Sequence, residues 1–317
     1  MRLPWVYQRK SLTTEMSSFI SVILPTYNPD LNRLRKTLAG LQQQTLPTQN
    51  WELIIVDNNS SNPVLLSLDW HPNYKVITES KQGLSYARMK GFELATGDLI
   101  VMVDDDNILQ VDYLENVLLH FQLYLRLGAT GGITAPLFEA TPPKWLKEFH
   151  TSLALRDLGE QTLFMDWNGN YPAAAPIGAG MGIRKEALHA YLGRMNSRTQ
   201  MITDRTAHSL SSGGDNDIIL EILKAGWQIS YHPKLKLSHI IPEQRTTAKY
   251  LARLLNNTNK SWIELLEMHG INPWSKIPRW TLPLRKVKAW FAYGAYMSKT
   301  NYIKWQGACG HYDGLAK

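Results

Sequence analysis

Three consecutive aspartates, Asp104, Asp105 and Asp106, are the sharpest local signal in the sequence. They follow the apolar run 99–103, which has the length of a buried strand. Carboxylates this close repel one another, so such a cluster persists where a divalent cation neutralises it, and Mg²⁺ and Mn²⁺ prefer carboxylate oxygens. Because strand side chains alternate, we expect Asp104 and Asp106 on one face and Asp105 on the other. A solvated acidic turn is the alternative.

A second pair of carboxylates, Asp215 and Asp217, stands at the predicted start of a helix, after Gly213 and Gly214. One of the two can serve as the helix N-cap. The glycines allow close approach to a ligand, where a carboxylate can remove the proton of a hydroxyl group. His239 follows a short apolar segment. A lone histidine is more often structural, and it becomes a candidate metal ligand only if the aspartate triplet holds a cation.

The surrounding pattern predicts elements that position these residues at one edge of a sheet. Apolar runs of strand length alternate with segments of helical periodicity, and this order predicts a mostly parallel sheet with helices on both faces. The predicted strands are 19–24, 51–56, 74–78 and 99–103, followed later by short strands 227–231 and 235–239. The predicted helices are 31–41, with Asp30 as N-cap, 84–94 and 113–125.

Three of the predicted strands end in polar clusters, at residues 25–28, 57–60 and 104–107. In open α/β sheets, ligands bind outside the carboxyl ends of the strands. Three clusters at equivalent ends therefore predict one common site.

Composition excludes several classes of protein. The chain has 317 residues with 44% hydrophobic and 19% charged residues, which is typical of a globular protein. Cys309 is its one cysteine, so no intrachain disulfide is expected. We find no apolar run of bilayer length and no signal peptide, and we expect a cytoplasmic protein. The sequence contains no recognised nucleic-acid motif, so nucleic acid is not an expected partner.

The net charge of +7 is concentrated near the C-terminus, where residues 243–317 carry twelve Lys or Arg and four acids. Aromatic and basic residues alternate there, and Leu284, Val287, Phe291 and Ala295 could form one helical stripe. This pattern predicts attachment to an anionic membrane surface, as a peripheral protein at the inner face of the plasma membrane. The alternative is that the aromatic side chains pack onto the preceding domain.

Five segments occur in an order that resembles the bacterial family-2 glycosyltransferases of the GT-A fold: ISVILPTYN, LIIVDNNSS, KQGLSYARMKGFELATGDLIVMVDDDNIL, IGAGMGIRKEAL and SGGDNDIILEILKAGW, followed by a histidine. The resemblance covers about residues 19–245. It implies a Rossmann-like, mostly parallel sheet flanked by helices. We therefore expect a tail at 1–17, a GT-A catalytic domain at 18–245 and a basic, helical C-terminal extension at 246–317.

The resemblance also implies an activity, the inverting transfer of a sugar to a saccharide or lipid-linked acceptor, as in cell-surface polysaccharide synthesis. The donor would be a nucleoside-diphosphate sugar, with a UDP-sugar as the first choice, and the cofactor Mg²⁺ or Mn²⁺. Asp215 would be the catalytic base, and Asp106 and His239 would hold the metal. Donor binding would involve Pro25, Tyr27, Asn28, Asp57, Arg88, Asp104 and Asp105. The donor-sugar and acceptor pocket would involve Gly178, Ala179, Gly180, Met181, Gly214 and Asp217.

The sequence departs from the family pattern at three places. Gly214 stands where Glu is frequent, Asn107 replaces a frequent fourth acid, and Met89-Lys90 stands where Asn is common after the arginine. The first departure bears on the acceptor, whose identity we expect to depend on the stretches 136–176 and 196–212.

Two other functions remain open at this stage. A sugar nucleotidyltransferase would also use carboxylate-bound metal, but it normally carries a glycine-rich phosphate loop after the first strand. A non-catalytic module that binds sugar nucleotides or glycans is the other. The intact set of Asp104, Asp106 and Asp215 argues against it.

Overall fold

The computed structural model describes residues 18–197 and 213–317 and confirms a mixed α/β fold with a helical C-terminus. The predicted tail and residues 198–212 of the predicted polar loop lie outside the described residues. The strands are β1 Ile20–Thr26, β2 Trp51–Asp57, β3 Tyr74–Thr78, β4 Leu99–Met102, β5 Asn107–Leu109, β6 Leu127–Phe138, β7 Leu163–Met165, β8 Gly182–Arg184 and β9 Gln228–Ile241. The helices are α1 Leu31–Gln42, α2 Leu84–Leu94, α3 Tyr113–Leu123, α4 His189–Ser197, α5 Gly214–Lys224, α6 Ala248–Met268, α7 Leu282–Ala292 and α8 Lys299–Leu315.

The strands form one sheet in the order β3-β2-β1-β4-β8-β6-β9-β5, and β7 pairs with β9. Its first half is parallel, because β1 pairs in parallel with both β2 and β4, and β2 with β3. Its second half is mixed: β8 runs antiparallel to β4 and β6, whereas β6 and β9 are parallel. The parallel half brings the polar ends of β1, β2 and β4 to one edge.

Local sequence accounts for the first layers of this fold. The carboxylate of Asp30 accepts hydrogen bonds from two backbone N–H groups of α1, as the predicted N-cap should. In β1 the side chains of Ile20, Val22 and Leu24 pack into the core on one face of the sheet, and Ile23 packs into the core on the other. Helices cover both faces, which is why the strand is an unbroken apolar run.

The prediction of two short strands near residues 227–239 is wrong. One strand, β9, runs through both, because its register with β6 shifts between Gly131 and Ile133 and absorbs the intervening residues. Gly132 permits this, since a Cβ there would lie 2.1 Å from the carbonyl oxygen of Leu235.

The C-terminal helices α6 and α8 pack on the segment that follows β6. Leu251, Leu254 and Ile303 form a buried cluster with Leu153 and other apolar residues of that segment. No helix within residues 18–197 and 213–317 combines the length and hydropathy that a bilayer crossing requires.

Candidate active site

The loops after β1 and β2 are bonded to each other. The backbone N–H of Asn28 donates to Ser60 Oγ at 2.8 Å, and the N–H of Ser61 donates to Asn28 Oδ1 at 2.8 Å. Asn28 has a φ of 45°, a left-handed conformation that asparagine tolerates. Pro25 lies inside β1, and the Tyr27 side chain is exposed beside the loop. The segment predicted to line a nucleotide pocket therefore has a defined shape.

Asp57, at the end of β2, is buried and holds the following loop together. Its Oδ1 accepts from the N–H of Ser60 at 3.0 Å, and its Oδ2 accepts from the N–H of Val64 at 3.1 Å. Both oxygens thus organise the loop, and the predicted contact with a nucleotide base stays a prediction.

The aspartate triplet forms a turn, because β4 ends at Met102 and β5 begins at Asn107. The prediction that Asp104 and Asp106 lie on one strand face and Asp105 on the other is therefore wrong, because the three residues do not belong to a strand. Asp105 instead accepts a hydrogen bond of 2.5 Å from the hydroxyl of Thr26, the last residue of β1. Burial, followed by the charge of Asp106, raises the pKa of Asp105 to about 7.

Arg88, Asp104, Gly178 and Asp215 meet above this edge of the sheet. The buried Arg88 side chain of α2 lies 3.6 Å from Asp104 Oδ1 through its Nη2. Asp215, in the first turn of α5, accepts a hydrogen bond of 2.9 Å from the N–H of Gly178 through its Oδ2. A Cβ at Gly178 would lie 2.8 Å from that oxygen and 2.9 Å from Arg88 Nη2. The Asp215 carboxylate and the Arg88 guanidinium thus adjoin the Gly178 backbone, and Asp104 pairs with that guanidinium.

The other small residues of the predicted pocket form its wall. Ala179 and Met181 are buried in the core, and Gly180 has a φ of 73°. A side chain at Gly180 would clash with Tyr113, whose hydroxyl donates to the Gly180 carbonyl at 2.6 Å. Gly214 is the buried first residue of α5. Gly178 is therefore the member of the glycine-rich loop that contacts the Asp215 carboxylate.

Asp106 and His239 are brought together by the pairing of β5 with β9, in which Asn107 lies opposite His239. His239 Nδ1 is 3.1 Å from the carbonyl oxygen of Leu153, which can only accept, so Nδ1 carries the proton. His239 Nε2 lies on the other side of the ring, 3.5 Å from Asp106 Oδ2. Arg245 Nη1 donates to the same Asp106 oxygen at 3.0 Å and lies 3.3 Å from His239 Nε2.

Asp217 lies in the interior, against the end of α6, rather than in the pocket where we predicted it. Its Oδ1 is 2.7 Å from His269 Nε2, and Glu221 Oε1 is 3.8 Å from His269 Nδ1. Together these three residues offer metal-type ligand atoms within 4.8 Å of one another. Arg194 pairs with Glu221, however, and Lys224 Nζ lies 3.1 Å from His269 Nδ1, so side-chain cations already balance the carboxylates. The cluster ties α5 to α6.

Three residues at this edge were not predicted to belong to the site. Thr26 donates a hydrogen bond to Asp105 of the triplet. Tyr171 donates to Asn216 Oδ1 at 2.5 Å beside the catalytic candidate, and burial raises its pKa. Arg245 bonds Asp106. Thr26 stands in the strand-end cluster that we identified, whereas nothing local distinguishes Arg245 from any other basic residue of the C-terminal region.

Residues 21–192, more than half of the chain, match the family model described as Glycosyl transferase family 2. The chain belongs to this family. The match includes the edge formed by the ends of β1, β2 and β4, and it ends before Asp215, His239 and Arg245.

Curated relatives of this family 2 glycosyltransferase are similar over shorter stretches. A glucosyl-dolichyl phosphate glucuronosyltransferase of Haloferax volcanii is 28% identical over 133 residues, which cover 41% of this chain and 42% of the relative. The poly(ribitol-phosphate) beta-N-acetylglucosaminyltransferase TarP of Staphylococcus aureus is 25% identical over 103 residues, 31% of each protein. The chain thus spans less than half of the length of these relatives.

The fold of this family 2 glycosyltransferase is similar to that of S. aureus TarS. The TM-score is 0.53 at 14% identity, over 93% of this chain and 54% of the TarS chain. A structure of TarS residues 1–349 in complex with UDP gives a TM-score of 0.51 at 13% identity, over 93% of this chain and 89% of that one. At such identities the likeness shows the fold, and it agrees with the expected GT-A architecture.

Proposed function

We propose that this glycosyltransferase moves a sugar with inversion from a nucleoside-diphosphate sugar, with a UDP-sugar as the first choice, to a saccharide or lipid-linked acceptor. One observation carries the proposal: the Asp215 carboxylate, the Arg88 guanidinium and the aspartate turn converge at the carboxyl edge of β1, β2 and β4. This is the edge at which open α/β sheets bind ligands. The UDP complex of a protein with a similar fold supports the choice of donor.

In the proposed reaction Asp215 is the general base. Gly178 N–H orients its Oδ2, and Oδ1 is assigned to the proton of the acceptor hydroxyl. As the proton leaves, the acceptor oxygen forms a bond to the anomeric carbon. The bond from that carbon to the diphosphate oxygen breaks, and the nucleoside diphosphate departs with the electron pair. Attack on the face opposite the leaving group inverts the anomeric configuration.

A divalent cation fits the donor set at Asp106 and His239. Both side chains are buried, and the Leu153 carbonyl orients the histidine so that Nε2 faces the carboxylate, as is common for metal-ligating histidines. Mg²⁺ or Mn²⁺ bound there would stabilise the negative charge of the departing diphosphate. Arg245 already supplies a positive charge at this point, so its side chain must move aside when a cation binds.

The acceptor and the location belong to the same proposal. Two relatives are named for a dolichyl phosphate and a poly(ribitol phosphate). Both names favour a lipid-linked or polymeric acceptor and a role in cell-surface polysaccharide synthesis, at the inner face of the plasma membrane. We retain 18–245 as the catalytic unit and 246–317 as its extension.

The two alternatives are less well supported. β1 ends with Pro25 and Thr26 and is followed by Tyr27 and Asn28, which is not the glycine-rich loop of nucleotidyltransferases. A binding module would have no use for an oriented carboxylate at Asp215. Release of pyrophosphate would favour the former, and tight donor binding without any transfer or hydrolysis would favour the latter.

Two variants on the same helix test the assignment of the base. We expect Asp215→Asn to keep UDP affinity and the melting temperature while turnover of a UDP-sugar falls by about 10² or more. Asp217→Asn is the matched control: it removes the negative charge that accepts from the buried His269, so it should lower the melting temperature while turnover of the folded fraction persists. Near-normal turnover in Asp215→Asn would exclude Asp215 as the base.

A further inference from the structure

Helix α7 presents an apolar face to solvent. Trp280, Leu284 and Phe291 are 76%, 70% and 66% exposed, and Val287 between them is also exposed. Trp280 lies in the short 3-10 turn Arg279–Thr281 that precedes α7, and the other three positions fall within one narrow stripe of a helix that turns about 100° per residue. Tyr296 and Met297, in the turn after α7, are exposed as well. We name these six residues the α7 surface; it is larger than the scattered apolar residues that ordinary protein surfaces carry.

The opposite side of α7 is held firmly to the protein. Ala289 is buried, and the rings of Trp290 and Trp305 meet edge to face at 4.7 Å. Trp305 Nε1 donates to the carbonyl of Lys286 at 3.0 Å, and Lys286 Nζ lies 2.7 Å from Asp313. The predicted stripe included Ala295, but Ala295 is buried, and the aromatic residues Trp290 and Trp305 of this region pack against each other. α7 is thus fixed in one orientation with the apolar stripe outward.

The region around the stripe carries one sign of charge. Residues 268–312 contain seven Lys or Arg and no Asp or Glu. Lys276, Lys286 and Lys304 pair with acids elsewhere in the protein. Within the described residues, Arg279, Arg285, Lys288 and Lys299 form no salt bridge and are exposed. Both Arg285 and Lys288 lie on the same flank of α7, Lys288 next to the stripe and Arg285 farther round the helix.

From this arrangement we infer that the α7 surface docks onto an anionic lipid bilayer. Aromatic and aliphatic side chains on one helix face enter the headgroup region, while adjacent basic side chains meet lipid phosphates. A second copy of this chain is a poor occupant. A two-fold contact would place each basic surface against itself, with no carboxylate within residues 268–312 to compensate.

This inference goes beyond the proposed transfer reaction, and it names the face of the molecule that would lie toward a membrane-bound acceptor. It can fail while sugar transfer stands, because UDP binding in solution involves none of these residues. UDP affinity measured for every variant separates the two outcomes.

The test is co-sedimentation of the full chain with vesicles. We expect the wild type to pellet with vesicles of phosphatidylglycerol and phosphatidylcholine, less so at high salt, and weakly with phosphatidylcholine alone. Leu284→Ser with Phe291→Ser should weaken partitioning at least about tenfold. Arg285→Gln with Lys288→Gln should weaken it by about fivefold per charge.

Matched controls use equally exposed residues on other helices. Leu123→Ser with Leu125→Ser replaces leucines that are 74% and 70% exposed at the end of α3. Arg35→Gln with Lys36→Gln removes two adjacent charges of α1. Both controls should bind vesicles as the wild type does. The inference is overturned if the wild type stays in the supernatant at low salt, if the α7 variants and controls bind alike, or if sedimentation velocity shows a dimer that Leu284→Ser with Phe291→Ser abolishes.

Discussion

At the scale of single residues, the Asp106 and His239 pair is bonded by a side-chain cation. The Arg245 guanidinium lies within 3.3 Å of both partners, and Asp106 accepts from it directly. A guanidinium keeps its charge at any ordinary pH. The Asp106 carboxylate is therefore neutralised within the protein itself, and we expect a divalent cation that binds there to displace the arginine.

Arg245→Gln should consequently bind Mn²⁺ more tightly than the wild type, by roughly tenfold, which corresponds to about 1.4 kcal/mol. The reason is that no ion pair has to break first. Electron paramagnetic resonance of free Mn²⁺ measures the affinity without any substrate. Arg126→Gln, which removes an exposed arginine paired with Asp166, is the control and should leave Mn²⁺ binding unchanged. Equal affinities in all three proteins would contradict displacement of Arg245.

Gly178 is a second residue at which a small change should have a specific effect. The methyl group of Gly178→Ala would lie within 2.9 Å of both Asp215 Oδ2 and Arg88 Nη2, so the carboxylate must move. We expect turnover to fall by at least about tenfold, with a stability loss of about 1–3 kcal/mol. Gly193→Ala in α4 meets no atom within 4 Å and should stabilise the chain by up to about 1 kcal/mol. Unchanged turnover in Gly178→Ala would show that the contact with Asp215 is unimportant.

At the scale of elements, α5 performs two tasks on two of its sides. Asp215 contacts the loop at Gly178, and Asp217 two residues later reaches His269 at the end of α6. The buried tie holds the helix against the end of α6, and the first turn of the same helix carries the proposed base. These two contacts explain why two carboxylates stand at the start of one helix. Neither Asp215 nor Asp217 is the N-cap, because Gly213 occupies that position.

The contact between α3 and β9 makes stability depend on pH. His120 stacks on His232 at 4.1 Å and its Nε2 lies 2.9 Å from Ser230 Oγ. Burial, followed by the charge of His232, lowers the pKa of His120 to about 4 from an ordinary 6.5. The folded state therefore binds the His120 proton less readily than the unfolded state does. The stability contributed by neutral His120 is present above pH 6.5 and is lost as the pH falls toward 4.

We expect the free energy of unfolding to fall between pH 6.5 and 4, with His120 contributing up to about 1.4 kcal/mol per pH unit. Denaturant titrations across this range measure the slope. His120→Gln should flatten it, whatever its effect at neutral pH, whereas His189→Gln, at an exposed position of α4, should not. The same slope in His120→Gln and in the wild type would exclude this histidine as a source of the pH dependence.

At the scale of the whole molecule, the C-terminal helices are part of the support of the site. The apolar cluster of α6 and α8 includes Leu153, whose carbonyl orients His239, and Ile241, which ends β9. Lys304 of α8 also pairs with Glu148 at 2.6 Å. The sequence pattern changes at residue 245, but the buried apolar cluster contains residues from both sides of that boundary.

Calorimetry of the full chain should accordingly show one unfolding transition rather than two. Leu254→Ala, at a side chain only 1% exposed in the shared cluster, should lower the stability of that transition by about 2–5 kcal/mol, and UDP binding should be lost at the same reduced temperature. Leu284→Ala, on the exposed face of α7, should leave the transition within about 0.5 kcal/mol of the wild type. Two separate transitions would instead make 18–245 and 246–317 independent domains.

The sequence by itself determined β1 to β4, α1 to α3 and the edge at which the candidate site lies. Apolar runs and helical periodicity are local signals, so the β3 and α2 boundaries were predicted at the residues where the structure has them, and Asp30 caps α1 as expected. The polar ends of β1, β2 and β4 meet at one edge because parallel strands share a direction. The order of the five sequence motifs identified the family.

Only the tertiary structure decided which of the polar residues face one another. Arg245 and Asp106 are 139 residues apart, and their contact depends on the β5 and β9 pairing and on the turn after β9. The same holds for Thr26 with Asp105, for Asp217 with His269, and for the side of α7 that remains outside. Local periodicity specifies an element and its apolar face, but the partner of a charged side chain is set by how distant elements pack, and that is a property of the whole chain.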